Sequence, residues 1–233
     1  MPRLSNPQII LALDVDTLQE AEGFVDKLYP KIKIFKVGSR LFTAYGPKIV
    51  ERLHKKCAEV FLDLKYFDIP NTVAGAVAAA VRLKVKMLTL HILGGQEMLK
   101  AAVESATRQA ETLKMPRPLL IGVTVLTSQK TKPEEVLALA RQGLACGLDG
   151  VVCSAKEALF LRRKIKNNFI IVTPGIRPDN SGKDDQQRTA TVSQAIKAGS
   201  DFLVIGRPIL KAADPIAKTE ELLGDLSRFA GCH

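Results

Sequence analysis

Along the chain, short apolar or β-branched runs alternate with longer stretches in which apolar residues recur every three or four positions. The alternation persists from end to end with no linker or low-complexity stretch between. Eight such pairs can be marked. The expected strands are QIILALDV, IKIFKVG, EVFLDLK, MLTLHIL, PLLIGVTVL, GVVCS, FIIVTPG and FLVIGRP. The helices expected after them are, in order, TLQEAEGFVDKL, GPKIVERLHKK, NTVAGAVAAAVRL, QEMLKAAVESATRQA, KPEEVLALARQGLA, AKEALFLRRKI, TVSQAIKAG and DPIAKTEELLGDL. Thr17 and Asp214 stand where N-caps belong, Pro215 at a first helical position, and Gly147 and Gly199 where helices stop. Strands this continuously apolar are buried on both faces, so the units predict an α/β fold, a parallel (β/α)8 TIM barrel formed as one domain by residues 1–233. A doubly wound open sheet is the alternative, and it suits eight even units less well.

The polar residues of these runs collect at their C-terminal ends. Asp14 ends the first, Lys36 is late in the second, Asp63 and Lys65 end the third, and His91 is late in the fourth. Thr124 and Thr127 follow the fifth, Arg177 the seventh, and Gly206 with Arg207 the eighth. In a closed parallel barrel all those ends meet at one rim, where active sites of this architecture lie. Taken singly, several have plainer readings: Asp14 as a cap or turn residue, Lys36 as a snorkelling lysine, His91 as a hydrogen-bonded rim histidine, Thr124 as strand packing.

The stretch FLDLKYFDIPNT is harder to explain structurally. Asp63 and Lys65 lie two apart and project from one face of a strand, with Leu62, Leu64 and Tyr66 on the other, and Asp68 follows at its end. Buried charges persist only when paired, and a parallel barrel strand has no solvated face to carry them. A second constellation closes the chain: TPGIRP and IGRP each place a glycine and then an arginine after a strand. Loops after the last two strands of such barrels bind phosphate, through accessible backbone N–H groups and the guanidinium fork, so a phosphate ester is the expected substrate. The polar stretch PDNSGKDDQQR between them reads either as a lid or as a solvated connection.

Composition narrows the picture without redirecting it. Hydrophobic residues make up 46% of 233, enough for a sizeable core, and no apolar run reaches the ~20 residues of a membrane span. The N-terminal MPRLSNPQII lacks the apolar segment of a secretory signal, so a cytoplasmic protein is expected. Cys57, Cys146, Cys153 and Cys232 have no metal or disulfide spacing, and His54, His91 and His233 are scattered, so neither a zinc site nor any other metal is expected. The net charge of +10 is spread along the chain without a basic run, which argues against nucleic-acid binding and is compatible with a small anionic substrate.

With these residues in order, the chain resembles the orotidine 5'-monophosphate decarboxylase family in its short, free-standing bacterial form. Asp63, Lys65, Asp68 and Ile69 match that family's DxKxxDI motif, and LALDV, FKVG, LTS, LDGVVCS, TPGIR and IGR fit along essentially the whole chain. The resemblance implies decarboxylation of orotidine monophosphate to uridine monophosphate, the last step of pyrimidine synthesis, without metal or organic cofactor. It implies Lys65 as proton donor to C6 of the pyrimidine and Asp63 against the departing carboxylate. Asp14 and Lys36 would hold the ribose hydroxyls, Thr127 would lie near the base, and Arg177, Gln186, Gly206 and Arg207 would bind phosphate, with Gln187 an alternative to Gln186. Asp68 and Thr72 would reach into a neighbouring subunit's site, which implies a homodimer. Relatives such as 3-keto-L-gulonate 6-phosphate decarboxylase share the charged strand but use magnesium. Lys36 stands where such a relative would be expected to present an acid. A lysine Schiff base at Lys65 would need an apolar or cationic setting rather than flanking carboxylates.

Overall fold

The computed structural model describes residues 6–125, 131–177 and 189–230. Eight strands, β1 (Gln8–Ala12), β2 (Ile34–Gly38), β3 (Glu59–Tyr66), β4 (Met87–His91), β5 (Leu119–Val123), β6 (Gly150–Val152), β7 (Ile170–Thr173) and β8 (Phe202–Ile205), pair in sequence order. All pairs are parallel, and β8 returns to β1 to close the barrel.

The helices between them are α1 (Leu18–Leu28), α2 (Ser39–Tyr45), α3 (Pro47–His54), α4 (Pro70–Arg82), α5 (Gly95–Thr112), α6 (Pro133–Ala145), α7 (Ala155–Lys164), α8 (Val192–Lys197), α9 (Arg207–Leu210) and α10 (Pro215–Ala230). The expected boundary signals operate. Thr17 caps α1 in a capping box with Glu20, and Asp214 accepts the N–H groups of Ile216 and Ala217 at the start of α10. Gly147 and Gly199 take φ of 95° and 87° just past α6 and α8, a conformation that costs glycine little. The short α2 and α9 lie outside the expected helices: α2 forms over SRLFTAY, between an expected strand and helix, and α9 begins at Arg207, inside the expected strand FLVIGRP.

Period-two alternation sorts each strand into two cores. Ile10, Ala12, Ile34, Phe61, Met87, Ile121, Ile170, Val172, Phe202 and Val204 fill the barrel interior. The residues between them, such as Ile9, Leu11, Phe35, Val37, Val60 and Leu62, pack outward against the helices. The inward series continues upward from apolar to polar: Ala12 to Asp14, Ile34 to Lys36, and Phe61 to Asp63 and Lys65. The barrel's lower layers are therefore a packed floor under a charged mouth.

Two aspartates with largely covered carboxylates staple the opposite end. Asp149 accepts the Leu120 N–H and pairs with Arg117, both at 2.8 Å. Asp201, 1% exposed, accepts the Ile171 N–H at 2.7 Å and pairs with Arg162 at 2.6 Å. Exposed Lys33, Lys55, Lys84, Lys114 and Lys166 lie in the helix-to-strand connections of that same end, where cations complement helix C-termini. These five cations thus sit away from the mouth. Among the described residues no helix is long and apolar enough to cross a membrane.

Candidate active site

At the C-terminal ends of the strands a cavity of about 290 Å3 opens above the apolar floor, near the lower end of the size range for small-molecule sites. Phe61, Val123, Val125, Val152, Val172 and Val204 form its apolar walls, and its polar groups are Asp14, Lys36, Asp63, Lys65, Arg177 and Arg207. Charges of opposite sign alternate around one side. Lys36 Nζ lies 3.3 Å from Asp14 Oδ1 and 3.5 Å from Asp63 Oδ2, and Lys65 Nζ lies 2.9 Å from Asp63 Oδ1. Asp63 is at the centre of this row. Burial alone would raise its carboxyl, but the Lys36 and Lys65 ammoniums, with hydrogen bonds from Lys65 and Thr89, outweigh that and hold it below the usual carboxylate range.

Local backbone geometry makes this arrangement possible. Lys65 has φ of 51°, a left-handed conformation that costs a side-chain-bearing residue about 1–3 kcal/mol and persists only where its surroundings fix it. At the end of β2, a Cβ on Gly38 would lie 3.2 Å from Lys36 Nζ, so glycine leaves the ammonium its room. Arg177, 9% exposed, and Arg207 approach from the loops after β7 and β8, beside Gly175 and Gly206.

The structure therefore brings together Asp14, Lys36, Asp63, Lys65, Arg177, Gly206 and Arg207. Asp68 and Thr72 are exposed and do not line this cavity within one chain. Asp68 Oδ1 accepts the Ile69 N–H at 2.6 Å, and Thr72 lies in the first turn of α4. Thr127, Gln186, Gln187 and the whole PDNSGKDDQQR stretch fall outside the described residues. His91 stands off the cavity with its ring 5.5 Å from that of Phe67, and burial with the nearby Lys65 ammonium lowers its pKa. Thr124 donates to the Val152 carbonyl at 3.2 Å and is strand packing. Sequence reasoning missed Thr89, which is fully buried in contact with both Asp63 and Lys65. The signal was available: counting by twos from Met87 to His91 turns Thr89 into the barrel. Among the described residues no three His, Cys, Asp or Glu side chains converge to hold a metal ion.

A closed parallel barrel carrying a row of paired ions at its mouth, with arginines after its last two strands, defines a (β/α)8-barrel enzyme built for a small anionic substrate. Within that class the chain belongs to the orotidine 5'-phosphate decarboxylase / HUMPS family, whose model matches residues 7–222. It is 45% identical over 232 residues to the orotidine 5'-phosphate decarboxylase of Coxiella burnetii, covering 95% of this chain and 97% of that one. It is 47% identical over 234 residues to the protein of that name from Vibrio cholerae, covering 96% and 100%. Among solved structures, the orotidine 5'-phosphate decarboxylase of Lactobacillus acidophilus superposes with a TM-score of 0.82 at 34% identity, over 95% of this chain and 99% of that chain.

Proposed function

We propose that the protein is a carboxy-lyase that converts orotidine 5'-monophosphate to uridine 5'-monophosphate, working as a cytoplasmic homodimer of single-domain chains. The observation that carries this reading is the row Asp14, Lys36, Asp63, Lys65, with the Lys65 ammonium 2.9 Å from a buried carboxylate at the barrel mouth. Breaking the bond between C6 and the carboxylate releases CO2 and leaves the electron pair on C6. That carbanion needs a fixed positive charge and a proton, and a lysine ammonium provides both. Lys65 donates the proton to C6 and regains one from solvent. Asp63 faces the departing carboxylate and holds Lys65 in place.

The remaining roles follow the cavity's two ends. Asp14 and Lys36 bind the ribose hydroxyls. Arg177, Gly206 and Arg207, with Gln186, bind the phosphate, and Thr127 lies near the base. Asp68 and Thr72 act in the partner's site, a reading supported by their exposure and by the exposed apolar side chains of Phe67, Ile69 and Leu93 nearby in sequence, 61%, 66% and 56% accessible. Anchoring the phosphate far from C6 lets binding energy contribute to the chemistry.

The test is loss of the orotate chromophore when purified, EDTA-treated protein is mixed with orotidine 5'-monophosphate. Turnover in EDTA is expected and distinguishes this reading from a magnesium-dependent sugar-phosphate decarboxylase. Lys65→Ala is expected to lower kcat by at least about 10³-fold. Retained turnover in that variant would exclude Lys65 as the donor.

A further inference from the structure

The irregular part of the β3–β4 ladder falls on Lys65. Leu62 pairs with Leu88, but the next pair is Tyr66 with Leu90, so β3 advances four residues while β4 advances two. Lys65 sits within this bulge, and its N–H donates to Thr89 Oγ1 at 2.8 Å. The same hydroxyl donates its own proton to Asp63 Oδ1 at 3.0 Å. Asp63 Oδ1 is also the oxygen that receives Lys65 Nζ. One buried hydroxyl thus connects the lysine's backbone to the carboxylate that holds its ammonium.

We infer that Thr89 is a positioning residue for the decarboxylation: its hydroxyl holds the left-handed backbone of Lys65 and the orientation of Asp63, and so fixes where the Lys65 ammonium stands. This rests on the reading of Lys65 as proton donor. A buried hydroxyl that merely satisfied a stray N–H would be ordinary. Here both of its partners belong to the ionic row, and with Oδ1 occupied by Thr89 and Lys65, Oδ2 is left to meet Lys36. Losing the hydroxyl frees the Lys65 peptide and the carboxylate together. Misplacement of a reacting group by even 1 Å can cost about 100-fold in rate.

The experiment compares Thr89→Val, which keeps the shape and removes the hydroxyl, with Thr89→Ser, which keeps the hydroxyl. Wild-type turnover is measured first, since its absence would sink the proposed function rather than this inference. Thr89→Val is expected to lower kcat about 10- to 100-fold. Its KM should stay within about threefold, because the proposed phosphate-binding arginines after β7 and β8 are untouched. Thr89→Ser should keep kcat within about threefold, as an intact hydroxyl requires.

The acid limb of the kcat–pH profile provides a readout that a packing role would not move. Asp63 faces Lys36 and Lys65, which remain in Thr89→Val, and loses only the hydroxyl's hydrogen bond. Since that bond favours the carboxylate, the limb should shift to higher pH. Wild-type kcat with an unmoved acid limb in Thr89→Val overturns the inference, as does a Thr89→Ser enzyme as slow as Thr89→Val. Should Thr89→Val not fold, Thr89→Cys replaces it, because a thiol donates and accepts only weakly. Wild-type kcat in that variant overturns the inference equally.

Discussion

Lys36 Nζ stands 3.5 Å from Oδ2 of Asp63, the oxygen turned away from Lys65, so one carboxylate spans two ammoniums. Asp63→Asn would leave those two cations facing each other, with only the more exposed Asp14 in reach of Lys36. We expect kcat to fall by at least about 100-fold and stability at pH 7 to drop by about 1–3 kcal/mol, less than for a fully buried pair because Lys65 reaches solvent. The sign with pH follows from the depressed carboxyl. Its contribution is complete above the unfolded value of about 3.9 and is lost as pH falls through the lower folded value. The stability gap between wild type and Asp63→Asn, measured by urea unfolding, should therefore narrow below about pH 4. A gap independent of pH would contradict the ionic account.

Arg207 opens the short α9 immediately after Gly206 and lines the cavity. As a phosphate ligand remote from the reacting carbon it acts on substrate binding more than on the chemical step. Arg207→Ala should then raise KM about 10- to 100-fold with a smaller change in kcat. Steady-state kinetics with orotidine 5'-monophosphate decide this, and an unchanged KM would remove Arg207 from the phosphate site.

How far these roles could be read in advance depended on the range of the interactions behind them. Local pattern marks every strand and main helix; position at the strand ends gathers Asp14, Lys36, Asp63 and Lys65 at one rim, and the period of two puts Asp63 and Lys65 on one face. Local pattern overran the strand ends, since β4 stops at His91 and residues Ile92–Gly94 turn into a 3-10 helix. The left-handed Lys65 was beyond reach, because it arises from the register between β3 and β4, residues 24 apart for the Lys65–Thr89 bond. The inward side of Thr89 is legible by counting in twos, but its bond to Lys65 exists only because of that bulge. The roles of Asp149 and Asp201 are not legible in the sequence, because a short Gly-x-Asp before a strand looks like an ordinary turn, whereas each accepts a backbone N–H from the neighbouring strand.

The assignment of Asp68 to a neighbouring site can be tested by complementation. Lys65→Ala and Asp68→Ala should each be nearly inactive as purified homodimers. If Asp68 serves the partner, a mixed dimer has one site with both substitutions and one with neither. Equimolar unfolding and refolding together should recover about a quarter of wild-type activity, from symmetric exchange of the two chains. Should Asp68 instead act in its own chain's site, every site in the mixture carries one lesion and no activity returns.

Two histidines give the fold a separate response to acid. Burial, with the Lys84 cation, lowers the pKa of half-buried His54 at the end of α3, and burial with Lys65 lowers that of His91. In both, the folded protein holds the neutral ring while the unfolded chain takes up a proton near pH ~6.5. Their contribution is therefore complete above about pH 6.5 and is lost as pH falls through the folded values. The Tm should be flat between about pH 7 and 8 and decline between about pH 6.5 and 5, before Asp63 begins to titrate. His54→Gln lies far from the mouth in sequence and packing, so it should reduce that decline without altering turnover. A Tm that is level from neutral pH down to about pH 5 would mean that neither ring is held neutral by the fold.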